Sequence, residues 1–239
     1  MKRRDFSLQL ASASLAALPA ALWSGSAAAQ GGPVEGTHYS RLAQPVPVSV
    51  PAGKVEVIEF FSYACGHCFK LEPFLAAWAG KLPPDVVFKR VPGVGSGAWS
   101  QLGLLYYSLE AMGKLDALHE KAFDAMHKEN TNLANVKIRE QWLAKQGIDA
   151  VQYASVEKSF SVQSKLSRAA QMMGSYKVDG VPMLIVNGKY VTSTGHAGGP
   201  EKVVPVVEQL IAMARKDMGT TAAAPATAKP AAAKPAAAK

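Results

Sequence analysis

VEVIEFFSYACGHCFKLEPFLAAWAGKLPPDVVFKRVP, residues 55–92, holds both cysteines of a 239-residue chain. Residues 55–61 are β-rich and nearly all apolar, which suits a strand buried on both faces. Residues 62–66 break that run. From His67 the spacing turns helical: Phe69, Phe74, Leu75 and Trp78 can share a face, and Pro73 inside the segment predicts a kink. Residues 85–92 read as a second strand. Strand, helix and strand in this order make a βαβ unit, with Cys65 and Cys68 where the first strand hands over to the helix.

A helical block follows. Trp99, Leu102, Tyr106, Leu109 and Met112 recur at helical spacing, and Gly113 supplies a stop. Leu115, Leu118, Ala122 and Met126 repeat the period. Residues 136–146 predict another helix, closed by Gly147. Asp149 can cap the next one, with Gln152 at its third position. Val162, Leu166, Ala169 and Met173 form a further face that ends at Gly174. Strand signals then return: VPMLIV and KYVTS flank Asn187-Gly188, a strong hairpin signal. Gly198-Gly199-Pro200 opens a final helix from Glu201 to about Lys216, with Pro205 in its first turns. The order βαβ, helices, ββα predicts an α/β protein whose mixed sheet is interrupted by an inserted helical domain.

Both ends differ from this body. Lys2, Arg3 and Arg4 precede a short apolar run from Leu8 to Trp23 and an A-x-A site at Ala27–Ala29, which together predict an export signal over 1–29. Arg3-Arg4-Asp5-Phe6 leaves a twin-arginine route open beside Sec export. Either route leads to a bacterial periplasm. From Thr220 onward the residues are Ala, Pro, Thr and Lys and cannot bury an apolar face, so a solvated, disordered tail is expected over 219–239. The formal charge is +8. The signal supplies two of these charges (Lys2, Arg3 and Arg4 against Asp5) and the tail three (Lys229, Lys234 and Lys239). The remaining body is only mildly basic, which removes the case for nucleic-acid binding.

Three readings compete for Cys65-Gly66-His67-Cys68. A structural zinc site needs four ligands, and His38, His119, His127 and His196 are scattered without ligand spacing. A purely structural disulfide suits an oxidising compartment, but the loop it would close is among the shortest, where loop-closure stabilisation is smallest. A redox-active dithiol fits best, because C-x-x-C beside a βαβ pattern is the thioredoxin-like signature. A first cysteine at a helix N-terminus faces unsatisfied N–H groups and the positive end of the dipole. Cys65 is therefore expected to be the exposed nucleophile and Cys68 the buried resolving thiol. A protonated His67 favours the Cys65 thiolate further, and Gly66 puts no side chain in a substrate's way. Stabilising the thiolate stabilises the reduced form: one pKa unit is about 1.36 kcal/mol, and about 1.4 kcal/mol is about 30 mV for a two-electron couple.

EFFSYACGHC followed much later by GVPMLIVNGKY resembles the DsbA-type periplasmic thiol:disulfide oxidoreductases of the thioredoxin superfamily. The resemblance covers roughly residues 38–216. It implies a thioredoxin-like domain over 38–96 and 176–218, with the helical domain at 97–175. It also implies a cis Val181–Pro182 turn beside the thiols, with Val181 offering backbone groups to substrate. Glu59 matches the family's buried acid beneath the cysteines. Its neighbours Ile58, Phe60 and Phe61 support burial, which raises a carboxyl pKa and suits Glu59 to exchange a proton with Cys68. Lys89 matches the cation paired with that acid in some relatives. Gly66 departs from the proline that better-known members carry there.

The implied activity is that of a dithiol oxidase introducing disulfides into reduced exported proteins through Cys65–Cys68. A DsbB-type, quinone-linked membrane protein would reoxidise it. The redox group is built of side chains, so no metal or organic cofactor is expected, and the chain is expected to act as a monomer. The alternatives are a disulfide isomerase or reductase on the same fold, and a thiol-independent binding module. Periplasmic isomerases usually dimerise through an added N-terminal domain, and only about 25 residues separate the cleavage site from the first core strand.

Overall fold

A computed structural model describes residues 32–219. The export signal expected at 1–29 and the tail expected beyond residue 219 lie outside the described residues. Five strands form one mixed sheet in the order β1-β5-β4-β2-β3. They are β1 (Ser40–Arg41), β2 (Val55–Phe61), β3 (Val86–Pro92), β4 (Met183–Val186) and β5 (Tyr190–Thr192). Strands β2 and β3 run parallel and are joined through helix α1 (Gly66–Ala79). Strand β4 pairs antiparallel with both β2 and β5. The central strand β2 is buried at all seven positions, as suits a run that is apolar except for Glu56 and Glu59.

Side chains alternate across a strand, so β2 feeds two cores. Val55 and Val57 pack with Leu71, Leu75 and Trp78 of α1, and with Val207 and Leu210 of α8 (Pro200–Asp217). Ile58 and Phe60 join Leu102, Leu105 and Leu109 of α2 (Ala98–Ala111) on the other side. Helix α1 continues through Pro73. Its buried stripe is Cys68, Leu71, Leu75 and Trp78, spaced three, four and three residues apart. Phe74, expected on that face, is 41 % exposed, because it sits one residue, about 100°, away from Leu75 around the helix.

Between β3 and β4 the chain makes five helices: α2, α3 (Leu115–His127), α4 (Val136–Lys145), α5 (Ala150–Glu157) and α6 (Phe160–Ser175). Side-chain caps start three of them. Asn135 accepts from the Ile138 N–H, Asp149 from Gln152 and Ser159 from Val162. Such caps satisfy N–H groups that the first turn leaves open. Asn187 and Gly188 both have positive φ in the three-residue β4–β5 connection, where the Lys189 N–H donates to the Val186 carbonyl, as the central pair of such a turn needs. A Cβ at Gly188 would run into the Val46 carbonyl, so the close approach also requires glycine. The sequence did not announce β1 or the single turn α7 (Thr194–Ala197), since two and four residues carry no period. No helix among the described residues is long and apolar enough to cross a membrane.

Candidate active site

Cys65 is the N-cap residue of α1, with extended backbone angles, and no side chain caps that helix end. Both thiols are free, Cys65 half-buried and Cys68 fully buried. The Cys65 Sγ–H points to the Val181 carbonyl at 3.3 Å, across a separation of 116 residues. The Val181–Pro182 peptide is cis. The structure thus brings Cys65, Cys68, Val181 and Pro182 together where the C-terminal end of β2 lies beside the N-terminal end of β4.

The two sulfurs are held in different electrostatic states. The Cys65 pKa is lowered from 9.0 to about 6. The largest cause is the hydrogen bond from the Cys68 thiol; the backbone N–H groups of Cys68 and His67 and the charge of His67 add to it, against partial burial. The Cys68 thiol is pushed far up, first by burial and then by donating to Cys65. His67 is exposed, and a Cβ at Gly66 would meet nothing within 4 Å. We expect the thiolate absorbance of the reduced protein to titrate near pH 6. Cys68→Ala should raise that midpoint more than His67→Ala, following the order of the causes. A midpoint near 9 in the wild type would contradict this account.

Glu59 lies on the α1 side of β2 and is 1 % exposed. Burial drives its pKa up to about 8, although Arg90 opposes the shift. Arg90 Nε is 3.3 Å from Glu59 Oε2, but neither Glu59 oxygen accepts a hydrogen bond from a described residue. The Arg90 NH2 group binds Glu72 Oε1 at 2.7 Å. Lys89 is not the partner of Glu59. Its ammonium sits 2.6 Å from Glu56 Oε1 and also donates to Ser49. The reason is the two-residue period: Glu59 stands opposite Arg90 in the β2–β3 register, whereas Lys89 stands opposite Ile58 and shares the other face with Glu56.

The linkage between Glu59 and stability has a definite sign. Its pKa is raised in the fold, so its contribution is complete below about 4.5, the unfolded value, and is lost as pH rises through about 8. Glu59→Gln removes that loss. The variant should gain thermal stability relative to the wild type on going from pH 5 to pH 8. A constant difference in Tm across that range would show that Glu59 does not ionise there.

Sequence reasoning missed the support that α3 gives to the loop before Cys65. The His127 Nε2–H donates to the Tyr63 carbonyl at 2.9 Å, and the His127 ring stacks on Phe69 at 4.7 Å. The buried Tyr63 hydroxyl lies 2.8 Å from His119 Nδ1. His119 Nε2 faces Glu72 at 3.4 Å and burial keeps the ring neutral by lowering its pKa. With the ring proton toward Glu72, the tyrosine hydroxyl is the donor to Nδ1. Nothing in the local sequence marks either histidine; both act through contacts more than fifty residues away.

Comparison with known proteins bears on this arrangement. The Thiol:disulfide interchange protein DsbA of Azotobacter vinelandii is 43 % identical over 180 residues, which cover 75 % of this chain and 84 % of the relative. The chain belongs to the DsbA family. The family model described as "DSBA-like thioredoxin domain" matches residues 85–199. The DsbA of Bordetella parapertussis is 40 % identical over 217 residues, covering 90 % of this chain and all of the relative. The crystal structure of Pseudomonas aeruginosa DsbA superposes with a TM-score of 0.73 at 39 % identity, over 77 % of this chain and 96 % of that one. The protein is thus a thiol:disulfide oxidoreductase of thioredoxin-like fold.

Proposed function

We propose that the chain is a periplasmic dithiol oxidase that passes a disulfide from Cys65–Cys68 to reduced exported proteins. In the oxidised enzyme, a substrate thiolate attacks the Cys65 sulfur. The Cys65–Cys68 bond breaks, and Cys68 leaves as a thiolate that takes up a proton. Glu59, buried on the side of β2 that faces α1 and with a pKa near neutrality, is suited to supply it. A second substrate thiolate attacks the substrate sulfur of the mixed disulfide and expels the Cys65 thiolate. Two electrons and one substrate disulfide have then changed hands, and the enzyme holds the dithiol. A quinone-linked membrane partner of the DsbB type would return it to the disulfide. Residues 97–175 act as an inserted helical domain that braces the loop before Cys65.

The observation that carries this reading is the unequal treatment of the two thiols. A Cys65 thiolate stabilised to about pH 6 is a good leaving group and favours the reduced enzyme, which makes the disulfide oxidising. The test is equilibration of the Cys65–Cys68 couple against glutathione buffers. The expected potential lies well above the roughly −270 mV of thioredoxin. A value near thioredoxin's would make the protein a reductant and overturn the proposal.

A further inference from the structure

Helices α1 and α3 run past each other in opposite directions. His127 stacks on Phe69 at one end, and His119 meets Glu72 one turn further along α1. The seam continues toward Ala79 on α1 and toward Leu115 on α3. There it opens into a cavity of about 680 Å³ that thiol exchange leaves unused. Phe69, Tyr106 and Phe123 supply aromatic wall, while Pro73, Ala76 and Ala79 present small side chains. Aromatic rings beside small residues suit a proline-bearing chain in polyproline II.

The charges of this lining are graded along the seam. Arg90 is paired with Glu72 at 2.7 Å, and Lys128 with Asp124 at 2.7 Å. Lys70 stands at the Phe69 end, next to it in sequence. Asp116 and Glu120 stand at the other end, in the first turns of α3. Both are exposed, and neither side chain takes part in an ion pair or hydrogen bond among the described residues. Four residues apart on one helix, their carboxylates are neighbours, and one ammonium can serve both.

The chain carries a segment with the complementary chemistry. Residues 228–239 read AKPAAAKPAAAK, a five-residue repeat with lysine directly before proline at Lys229-Pro230 and Lys234-Pro235. A residue before proline is driven to extended or polyproline II geometry. The reach is sufficient. Arg215 of α8 holds Asp85 at 2.7 Å, and the Tyr190 hydroxyl holds Asp217 at 2.6 Å, so α8 ends beside the loop that follows α1. Asp85 comes six residues after Ala79, which puts it at most about 22 Å from that end of the cavity. Lys229 and Lys234 follow Gly219 by ten and fifteen residues, about 31 and 46 Å in polyproline II. A tail that rounds the end of α1 meets Asp116 and Glu120 before it meets Lys70. Exposed ion pairs are weak, so the same sequence as a free peptide would bind poorly. Tethering holds the segment at an effective concentration of about 1 mM or more, which fills a site of about millimolar affinity.

We propose that the cavity between α1 and α3 is the docking site of the chain's own Lys-Pro segment, with Lys229 or Lys234 on Asp116 and Glu120 and the adjoining proline against the aromatic wall. The inference goes beyond the oxidase reading and does not rest on it. Its readouts do not involve the thiols, so either can fail without the other.

The test is carbodiimide coupling of the chain comprising residues 30–239, followed by peptide mass spectrometry. The reagent activates a carboxyl group, a touching lysine displaces it to form an amide, and the carbodiimide leaves as its urea. Links from Lys229 or Lys234 to Asp116 or Glu120 should form within the monomer, at a yield independent of protein concentration. The Lys165–Glu110 pair, 2.8 Å apart, is the internal standard. The yield should be at least threefold that of tail links to Glu140 or Glu208, exposed acids outside the cavity. In amide NMR spectra, Lys229→Glu/Lys234→Glu/Lys239→Glu should move the Leu115, Glu120 and Phe123 signals, and the corresponding triple arginine variant should leave them in place. A yield below that threefold margin, links confined to covalent dimers, or amide signals indifferent to the glutamate variant would overturn the docking site.

Discussion

Replacing Cys65 with serine should reduce disulfide exchange to the uncatalysed rate. A hydroxyl cannot form the sulfur–sulfur bond of the mixed disulfide, and no other described residue offers a thiol within the site except Cys68, which is buried. Its pKa is driven far above the usual thiol range by burial, so it is almost wholly protonated at neutral pH, and the thiolate is the nucleophile. Cys68→Ser should behave differently. It retains Cys65 as an attacking group but has no resolving sulfur, so mixed disulfides should accumulate on Cys65 and persist. Non-reducing electrophoresis reads both outcomes: disulfide formation in a reduced test protein with glutathione disulfide as the oxidant for Cys65→Ser, and capture of a disulfide-bonded test protein for Cys68→Ser, where the Cys65 thiolate attacks one sulfur of that disulfide and the other leaves as a thiolate. Cys65 is half-buried and the Cys65→Ser protein should fold, so a loss of activity with an unchanged Tm points to chemistry. Retained exchange in the Cys65→Ser protein would shift the reactive role to Cys68 and dismantle the proposed mechanism. The pH dependence of the reduced wild type adds a check. The Cys65 pKa is depressed, so its contribution is complete above about 9, the unfolded value, and is lost as pH falls through about 6. The reduced form's advantage over the disulfide form should therefore shrink on acidification.

The sequence was most informative where one residue type can do only one thing. Two cysteines three apart at a strand-to-helix junction define a thiol pair from sequence alone, and Glu59, set among Ile58, Phe60 and Phe61 in a mostly apolar β2, announces a buried carboxylate. What it could not supply was parity. Lys89 and Arg90 are adjacent, and which of them meets Glu59 depends on the β2–β3 register, Glu59 opposite Arg90. A one-residue change of register would exchange their faces. The same limit applies to His119 and His127: in sequence they are isolated histidines, and only the docking of α3 brings them to Tyr63.

Arg139 shows how far a local pattern can mislead. In VKIREQWLAK it reads as a solvated charge on an ordinary helix, yet it is 1 % exposed. Its guanidinium joins three elements. It donates to the Gln101 carbonyl and side chain of α2, to the Leu133 carbonyl before α4, and to Glu157 Oε1 of α5 at 2.8 Å. The Tyr153 hydroxyl donates to that same oxygen. Glu157 is thus the only counter-charge of a buried cation among the described ion pairs.

Glu157→Leu should therefore destabilise the fold by about 3 kcal/mol, the lower end of the range for breaking one half of a buried pair. Arg139 keeps its neutral acceptors, which is why the upper end is not expected. For a body of this size each kcal/mol moves Tm by roughly 2–4 °C, so the fall should be about 6–12 °C. The double variant Arg139→Met/Glu157→Leu distinguishes a stranded charge from lost packing. Replacing a buried ion pair with apolar groups of similar volume is often neutral, so the double variant should recover most of the lost stability. If it melts no higher than Glu157→Leu alone, the cost lies in packing around α5, and the charge argument fails. Glu157 belongs to the helical segment, which meets the thiols through α3. The Cys65 titration midpoint near pH 6 should therefore survive in the folded double variant, separating what holds the helices together from what activates the sulfur.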